Sequence, residues 1–493
     1  MSEDILAKIV RMRKADIERL GLNFDIEIPE KRRVGHTEFL GNAGAILEVK
    51  RASPSKGDIA PDLNPVELAT TYAEAHAQAV SVLTEMNYFK GSLRDLIAVA
   101  DLMERRRKQG LHTCAVLRKD FLLYEDEIDV AYRCGADAVL LIARILDDEQ
   151  LVKMAKRAQS FDMQAFVEVR EVDDLRKLKV VTEALGESAT KTIVAGVNSR
   201  DLATFHTDPL VPASVRSKLP AKAVFESGIL CPADATYARN LGFTGILVGE
   251  AVAKNPPLAK EVVGAFESDS ENARGKFWKK FAERKVAPKV GPLVKICGIT
   301  REEDGLLAAE LGADMLGFVF STTKRLTTEE FVRNFAEKIG SNRPILVGVI
   351  TDPNSPEGKT AIKLAREGVL DAIQLHGVDP KNADYAYYCA ARVGEESDFD
   401  KVSALRKNGE PRVLLDAKVE GIPGGTGKTI PESLLREKAG DIPLWLAGGI
   451  TPENVGKIVA KFHPELVDVS SGVEDGPGIK NPEKLKALFA ALS

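Results

Sequence analysis

Cysteine is scarce: the 493 residues hold five (Cys114, Cys134, Cys231, Cys297, Cys389), an odd and scattered set. No disulfide framework and no metal-ligand spacing can be drawn from it, which fits a reducing compartment. The six histidines form no ligand cluster with them, so neither a metal nor a cofactor is expected. No apolar run reaches membrane-spanning length, and residues 1–13 lack the apolar core of a signal peptide. A cytoplasmic location without membrane contact is the expectation. Strong charge of one sign is also missing. The net charge of -5 and pI near 5.9 supply no global basic field for nucleic acid.

What is present is length and a rhythm. The chain is too long for one ordinary domain, and its 44% hydrophobic content suffices for sizeable cores. Residues 1 to about 40 are charged and helix-prone. Ile5, Ile9 and Met12 recur at helical spacing, which predicts a leading helix. Short apolar runs then alternate with longer amphipathic stretches. Strands are predicted at 45–50, 79–84, 113–117, 138–142, 164–169, 192–197, 223–226 and 245–248. Eight strand–helix units at this spacing indicate a parallel (β/α)8 barrel.

The rhythm stops near Phe266, and residues 266–291 read as a linker. It contains Arg274-Gly275-Lys276-Phe277-Trp278-Lys279-Lys280-Phe281, basic residues interleaved with aromatics. One reading is a nucleic-acid patch. The favoured one is a helix that docks Phe277 and Phe281, four apart, on a barrel while its lysines stay wet. A second set of eight strands follows at 293–297, 315–320, 345–350, 372–375, 385–389, 413–416, 444–446 and 467–470. The fifth is the weakest, since it reads as well as helix. The expected fold class is α/β: two consecutive (β/α)8 TIM barrels, 1–265 and 292–493, joined by a short helical linker, with a helical extension on the first. A pair of doubly wound sheets is the alternative.

Chemistry in such barrels sits at the C-terminal ends of the strands. The stretch 46–57 (ILEVKRASPSKG) places Glu48 and Lys50 on one face of an otherwise apolar strand. By itself this reads equally as an active-site strand or an edge strand with a surface ion pair. Lys119 and Asp120, Glu168, Asn198 with Arg200, Glu226 with Ser227, and Gly249 close later strands. So many polar residues converging on one ring suit acid–base work. The Gly-rich turns Glu226-Ser227-Gly228-Ile229 and Val248-Gly249-Glu250 follow the seventh and eighth strands, where phosphate is commonly held. Lys56 or the hydroxyls of Ser53 and Ser55 would add contacts.

The motifs ILEVKRASPSKGDI, VSVLTEMNYFKGS, LRKDF, GVNSRDL and ESGI together resemble indole-3-glycerol-phosphate synthase across nearly all of residues 1–265. That family closes the indole ring of a phosphorylated anthranilate–deoxyribulose with loss of carbon dioxide and water. The resemblance implies Lys119 as general acid on the carbonyl and Glu168 as acid/base partner in dehydration, assisted by Glu48 and Lys50. Asn198 and Glu226 would orient them, with Ser227, Gly228 and Gly249 on the phosphate. Glu250 departs from part of the family, where serine is common.

In the second half Cys297 ends the first strand; a lone cysteine there is more often a small buried residue than a base. Lys324-Arg325 follows the second strand, His376 closes the fourth and Asp416 the sixth. Gly424-Gly425-Thr426-Gly427-Lys428 lacks complete P-loop spacing and reads as a mobile lid. Phosphate signals recur at Gly448-Gly449 and at Ser470-Ser471-Gly472. In order, KICGIT, GFVF with its following Lys-Arg, QLHG, LLD, GGTGK, LAGGI and DVSSGVE resemble phosphoribosylanthranilate isomerase over about 290–493. That family carries out an Amadori rearrangement. The resemblance implies Asp416 as general acid on the ring oxygen and Cys297 as base at C2′. It also implies Arg325 on the anthranilate carboxylate, and Gly449, Ser471 and Gly472 among the phosphate contacts. His376, Gly425 and Gly448 complete the expected binding set. A cysteine base needs a nearby cation or helix N-terminus; Lys295 lies two positions back.

The second family's product is the first family's substrate, so a bifunctional tryptophan-biosynthesis enzyme is expected, acting as a monomer on phosphorylated anthranilates. Alternatives are a barrel reduced to a binding module, or two other sugar-phosphate isomerases or aldolases. No expected catalytic residue is missing, and the sixth strand of the first barrel ends in Asn198 rather than a Schiff-base lysine.

Overall fold

The computed structural model describes residues 5–54, 57–201, 207–268, 273–286, 291–377, 383–407, 410–417, 430–438 and 443–492. They form two compact units, Met1–Glu271 and Asn272–Ser493.

The first unit is a closed parallel barrel of eight strands: β1 Gly44–Val49, β2 Ala79–Leu83, β3 Ala115–Lys119, β4 Ala138–Ile142, β5 Gln164–Val169, β6 Ile193–Asn198, β7 Ala223–Glu226 and β8 Gly245–Val248. Each pairs with its sequence neighbours, and β1 closes against β8 with Gly44 opposite Gly245. Alternate residues point inward. Ile46, Leu117, Leu140, Phe166, Val194, Val224 and Leu247 fill the interior with one apolar cluster. Two positions on from four of these, toward the strand ends, come Glu48, Lys119, Glu168 and Glu226. Apolar packing therefore forms the barrel's floor, and charge occupies its mouth. Gly196 makes room for this: a Cβ there would stand 2.3 Å from Glu226 Oε1 and 2.7 Å from the Phe166 ring.

Strand β3 runs two residues later than its sequence pattern suggests. Arg118 is the reason. It is fully buried, with Asp120 at 3.3 Å, Thr84 Oγ1 at 3.3 Å and the Glu127 carbonyl at 3.0 Å. The leading helix, Ile5–Leu20, buries Leu6, Ile9 and Arg13. Arg13 reaches the same cluster, 2.8 Å from Asp120 and 2.5 Å from Glu127. A buried guanidinium between two carboxylates ties the helix to the end of β3.

The second unit repeats the design: β9 Leu293–Cys297, β10 Met315–Val319, β11 Ile345–Ile350, β12 Ala372–His376, β13 Tyr387–Val393, β14 Val413–Ala417, β15 Trp445–Ala447 and β16 Leu466–Val469, closed and parallel. The weakest expected strand, 385–389, shifts to β13. Its pairing with β12 and β14 overrides an Ala-rich, helix-compatible sequence, with Ile373 opposite Tyr387 and Val393 opposite Ala417.

The segment expected as a linker carries the helix Ala273–Val286, which contacts place in the second unit. Phe277, Trp278 and Phe281 are buried. Phe277 stacks on Tyr388 at 5.8 Å, and Phe281 lies 4.7 Å from Trp445. Lys280 pairs with Asp371 at 2.9 Å and Lys285 with Glu465 at 2.5 Å. Asp371 and Glu465 immediately precede β12 and β16, so this helix covers the N-terminal end of the barrel, opposite the strand ends that carry Cys297 and Asp416. The three aromatics are core, as the docked-helix reading expects.

Candidate active sites

At the first mouth, a cavity of about 120 Å³ is lined by every residue the sequence singled out among those described: Glu48, Lys50, Ser53, Lys119, Glu168, Asn198, Arg200, Glu226, Ser227, Gly228 and Gly249. Its centre is Lys119. The ammonium lies 3.0 Å from Glu226 Oε2 and 3.6 Å from Glu168 Oε2. Burial works against the charged amine, but Glu226, Glu168 and Glu48 together raise its pKa above the ordinary lysine value. Burial pushes Glu226 up to about 8; Lys119 opposes the rise and Glu168 adds to it. Glu48 and Lys50 form a 2.5 Å ion pair, so the two charges on β1 are partnered. Asn198 Nδ2 donates to Glu168 Oε1 at 3.4 Å, and Asn198 Oδ1 accepts from the Arg200 N–H at 2.9 Å. Glu48 Oε2 and Glu226 Oε1 are buried and have no hydrogen-bond partner among the described residues. Two acceptors thus remain beside an ammonium in one cavity.

Glu85, two residues past β2, was not singled out from sequence. Its carboxylate accepts from the N–H groups of Asn87, Tyr88 and Phe89 and lines the cavity. The loop after β7 turns through two consecutive positive φ values, Ser227 at 65° and Gly228 at 78°. After β8, Gly249 precedes the short helix Glu250–Lys254, and Glu250 pairs with Lys254 at 2.7 Å. A Cβ on Gly249 would stand 2.6 Å from Glu48 Oε1.

At the second mouth, a cavity of about 290 Å³ is lined by Cys297, Arg325, His376, Asp416, Gly448, Gly449, Ser471 and Gly472. Gly425 and the rest of the 424–428 loop lie outside the described residues. Burial pushes the Cys297 thiol up, Lys295 pulls it down, Asp468 pushes it up and Lys480 pulls it down. Burial, with Asp468, pushes Asp416 up to about 6 against Arg392, the Ala417 backbone and Lys295. Gly317 faces Cys297 across the β9–β10 pair, where a Cβ would stand 2.7 Å from Sγ. Arg325 is clamped by Glu474: Nε at 3.0 and 3.2 Å from the two oxygens, Nη2 at 2.7 Å from Oε2. His376 Nε2 contacts Gln374 Nε2 at 2.7 Å, and the Tyr388 hydroxyl donates to Gln374 Oε1 at 2.8 Å. Burial, with Lys295 and Arg392, pushes His376 down to about 4, so the ring is neutral at physiological pH. The loop after β15 again carries two consecutive positive φ values, Gly448 at 85° and Gly449 at 62°.

Sequence reasoning missed Gln374, Arg392 and Asp468 on this wall. The signal was available for Asp468, a charged residue in a strand otherwise apolar; Arg392 lies beyond the expected fifth strand, 385–389, and enters β13 only through the shift of that strand. Among the described residues, no group of His, Cys, Asp and Glu is arranged to hold a metal ion, and no helix is long and apolar enough to cross a membrane.

Comparison with known proteins divides the chain at the same place as its barrels. The family model for indole-3-glycerol phosphate synthase matches residues 7–263, and that for N-(5'-phosphoribosyl)anthranilate isomerase matches 294–491. A multifunctional tryptophan biosynthesis protein of Schizosaccharomyces pombe is 35% identical over 91% of the chain, which spans 59% of that relative. A tryptophan biosynthesis protein of Phytophthora nicotianae is 30% identical over 99% of the chain and 96% of its own length. The tryptophan biosynthesis protein TrpCF of Yersinia pestis is 30% identical over 95% of the chain and 89% of its own length.

Proposed function

The chain belongs to the indole-3-glycerol phosphate synthase family in its first barrel and the N-(5'-phosphoribosyl)anthranilate isomerase family in its second, and on that premise we propose a bifunctional enzyme of tryptophan biosynthesis with its domains in the reverse order of its reactions. The C-terminal barrel isomerises N-(5'-phosphoribosyl)anthranilate to the open-chain amino-ketone. The N-terminal barrel turns that ketone into indole-3-glycerol phosphate.

In the isomerase, Asp416 protonates the furanose ring oxygen. Its elevated pKa keeps a usable fraction protonated near neutral pH. Ring opening leaves an iminium cation, which favours the Cys297 thiolate that removes the C2′ proton. Tautomerisation of the enamine then yields the ketone. Glu474 occupies Nε and Nη2 of Arg325, which leaves Nη1 for the anthranilate carboxylate. His376, held against Gln374, packs beside the substrate. Backbone N–H groups around Gly448, Gly449, Ser471 and Gly472 take the phosphate, and Gly425 belongs to a lid.

In the synthase, Lys119 donates a proton to the carbonyl as the anthranilate ring carbon that bears the carboxylate bonds to it, and carbon dioxide then leaves from that ring carbon, returning its bond pair to the ring. Glu168 serves as acid/base partner in the dehydration that completes the aromatic indole, assisted by Glu48 and Lys50. Asn198 and Glu226 orient Glu168 and Lys119. Arg200 and Ser53 contact the substrate, and the Ser227, Gly228 and Gly249 backbone holds its phosphate. No metal or cofactor enters either step.

The observation that carries this reading is the ammonium of Lys119 set between carboxylates from two other strands at the mouth of a barrel matched end to end by the synthase family. The test is a coupled assay on N-(5'-phosphoribosyl)anthranilate alone. Fluorescence loss with accumulation of the indole product supports both assignments. Accumulation of the ketone alone removes the synthase assignment, and an inert substrate removes the isomerase assignment. The protein acts as a cytoplasmic monomer without nucleic acid or membrane partners. Light scattering of the purified chain checks the first of these. Residues 1–265 and 292–493 are the catalytic barrels, and the helix within 266–291 closes the floor of the second.

A further inference from the structure

Below Cys297 and Asp416 lies a buried ion pair. Lys295 on β9 and Asp468 on β16 stand opposite one another in register and meet at 2.6 Å. The Lys295 side chain is fully buried and that of Asp468 is 6% exposed. Taking both charges out of water is costly, and a well-packed apolar pair would hold the strands at least as well. The pair's surroundings suggest what it is for. Lys295 and Cys297 are two apart on one face of β9, so the ammonium and the thiol project to the same side of the strand. One oxygen of Asp468 belongs to Lys295. The other, Oδ1, has no hydrogen-bond partner among the described residues, and Asp468 lines the same cavity as Asp416.

At neutral pH an ordinary carboxyl is ionised and an ordinary thiol is protonated, the reverse of what an acid at Asp416 and a base at Cys297 require. We propose that Lys295 and Asp468 are positioning residues that divide the labour between these two groups, the ammonium end supporting Cys297 as base and the carboxylate end supporting Asp416 as acid. This deepens the isomerase reading and rests on it.

The charged groups facing the two sites pull both ways, and at each site the favourable member of the pair outweighs the other. Cys297 meets Lys295, Asp468, Lys480 of the hairpin after β16 and Arg325 of the loop after β10. Lys295 has the largest pull toward thiolate. Lys480 and Arg325 are both paired with Glu474. Asp416 meets Asp468, Arg392 of β13 and Lys295; Asp468 is the largest charge keeping it protonated. The competent form, with thiolate and neutral carboxyl together, is a minor species. Between the two titrations its fraction is set by the gap between them.

The test replaces the pair as a unit, Lys295→Met/Asp468→Leu, which leaves no unpaired charge in the core. Both titrations should move outward, Asp416 down and Cys297 up. The kcat–pH profile for isomerisation then widens while its plateau falls by about tenfold or more. The comparison is between proteins, because the substrate phosphate also titrates near pH 6 in each. A folded double variant whose two limbs coincide with those of wild type overturns the proposal, whatever its rate. Asp468→Asn removes the carboxylate that faces both groups and should move both limbs to lower pH, in contrast to the outward movement of the double variant. A measurement independent of any change in the pair is ¹³C carboxyl NMR of the wild-type protein, with the Asp416 resonance assigned by its loss in Asp416→Asn. A midpoint well above the ordinary carboxyl range supports the proposal, and one near 4 overturns it. Complete absence of isomerisation by the wild-type protein overturns the isomerase reading beneath it instead.

Discussion

Lys119 and Glu226 come from β3 and β7, strands on opposite sides of the first barrel, and the ammonium and a carboxyl oxygen meet across its mouth at 3.0 Å. With Glu168 on β5 they form a triangle of one ammonium and two carboxyl groups. Lys119→Ala should therefore lower ring closure by about a thousandfold, the range of a positioned general acid, while isomerisation continues. Assaying each step with its own substrate checks this. Loss of both activities in a folded variant would show that the sites are not independent.

Glu226 gives the first barrel a pH-dependent stability. Its folded value of about 8 exceeds its ordinary 4.5. Between those values the folded state binds a proton that the unfolded state has released. The stabilising contribution is thus present below about pH 4.5 and lost as pH rises through about 8. Thermal unfolding at pH 5 and pH 8 should show a smaller drop in Glu226→Gln than in wild type. An equal drop in both proteins contradicts the assignment.

In the second barrel, Cys297→Ala or Asp416→Asn should reduce isomerisation by about a hundredfold to ten-thousandfold. Ring closure of supplied ketone should persist in both. The Asp416 change is nearly isosteric, so a large loss with an unchanged melting temperature separates chemistry from folding.

Glu474 should govern binding more than turnover. It fixes the Arg325 guanidinium through a two-point clamp and accepts from Lys480 at 2.8 Å. Glu474→Gln leaves Arg325 less ordered, and KM for the isomerase substrate should rise more than kcat falls. Glu474→Asp, which keeps the charge, should recover part of the loss. A kcat effect with unchanged KM would argue against this role.

Trp278 is fully buried and packs 5.7 Å from Trp445. Trp278→Ala should destabilise the second barrel by about 3–5 kcal/mol, the usual cost of a large aromatic cavity. Calorimetry should show its transition move down while that of the first barrel stays in place. If neither transition moves, the helix is not part of the second barrel's core.

Much of the barrel pattern was legible because a strand covered on both faces is an apolar run with sharp ends. Strands β4, β5, β7 and β8 appear with the bounds their sequences suggest. Patterning failed where a charged residue is buried by partners distant in sequence. Arg118 reads as the start of a loop, yet Asp120, Thr84 and Glu127 enclose it within β3. It failed again at β13, where Ala-rich sequence carries no decisive preference and the flanking strands impose the pairing.

The sequence by itself determined two eightfold strand–helix repeats and the polar residues at their strand ends, because periodicity and the end-of-strand position are local properties. Tertiary structure decided which of those residues meet. Lys119 reaches Glu226 across 107 positions, and Lys295 reaches Asp468 across 173. Such pairs exist only once a barrel closes, and closure also supplies the burial that shifts Asp416, Cys297 and Glu226. The aromatic helix was ambiguous for the same reason: its neighbours Tyr388 and Trp445 lie more than a hundred residues away, and only packing converts an exposed-looking basic stretch into the floor of a barrel.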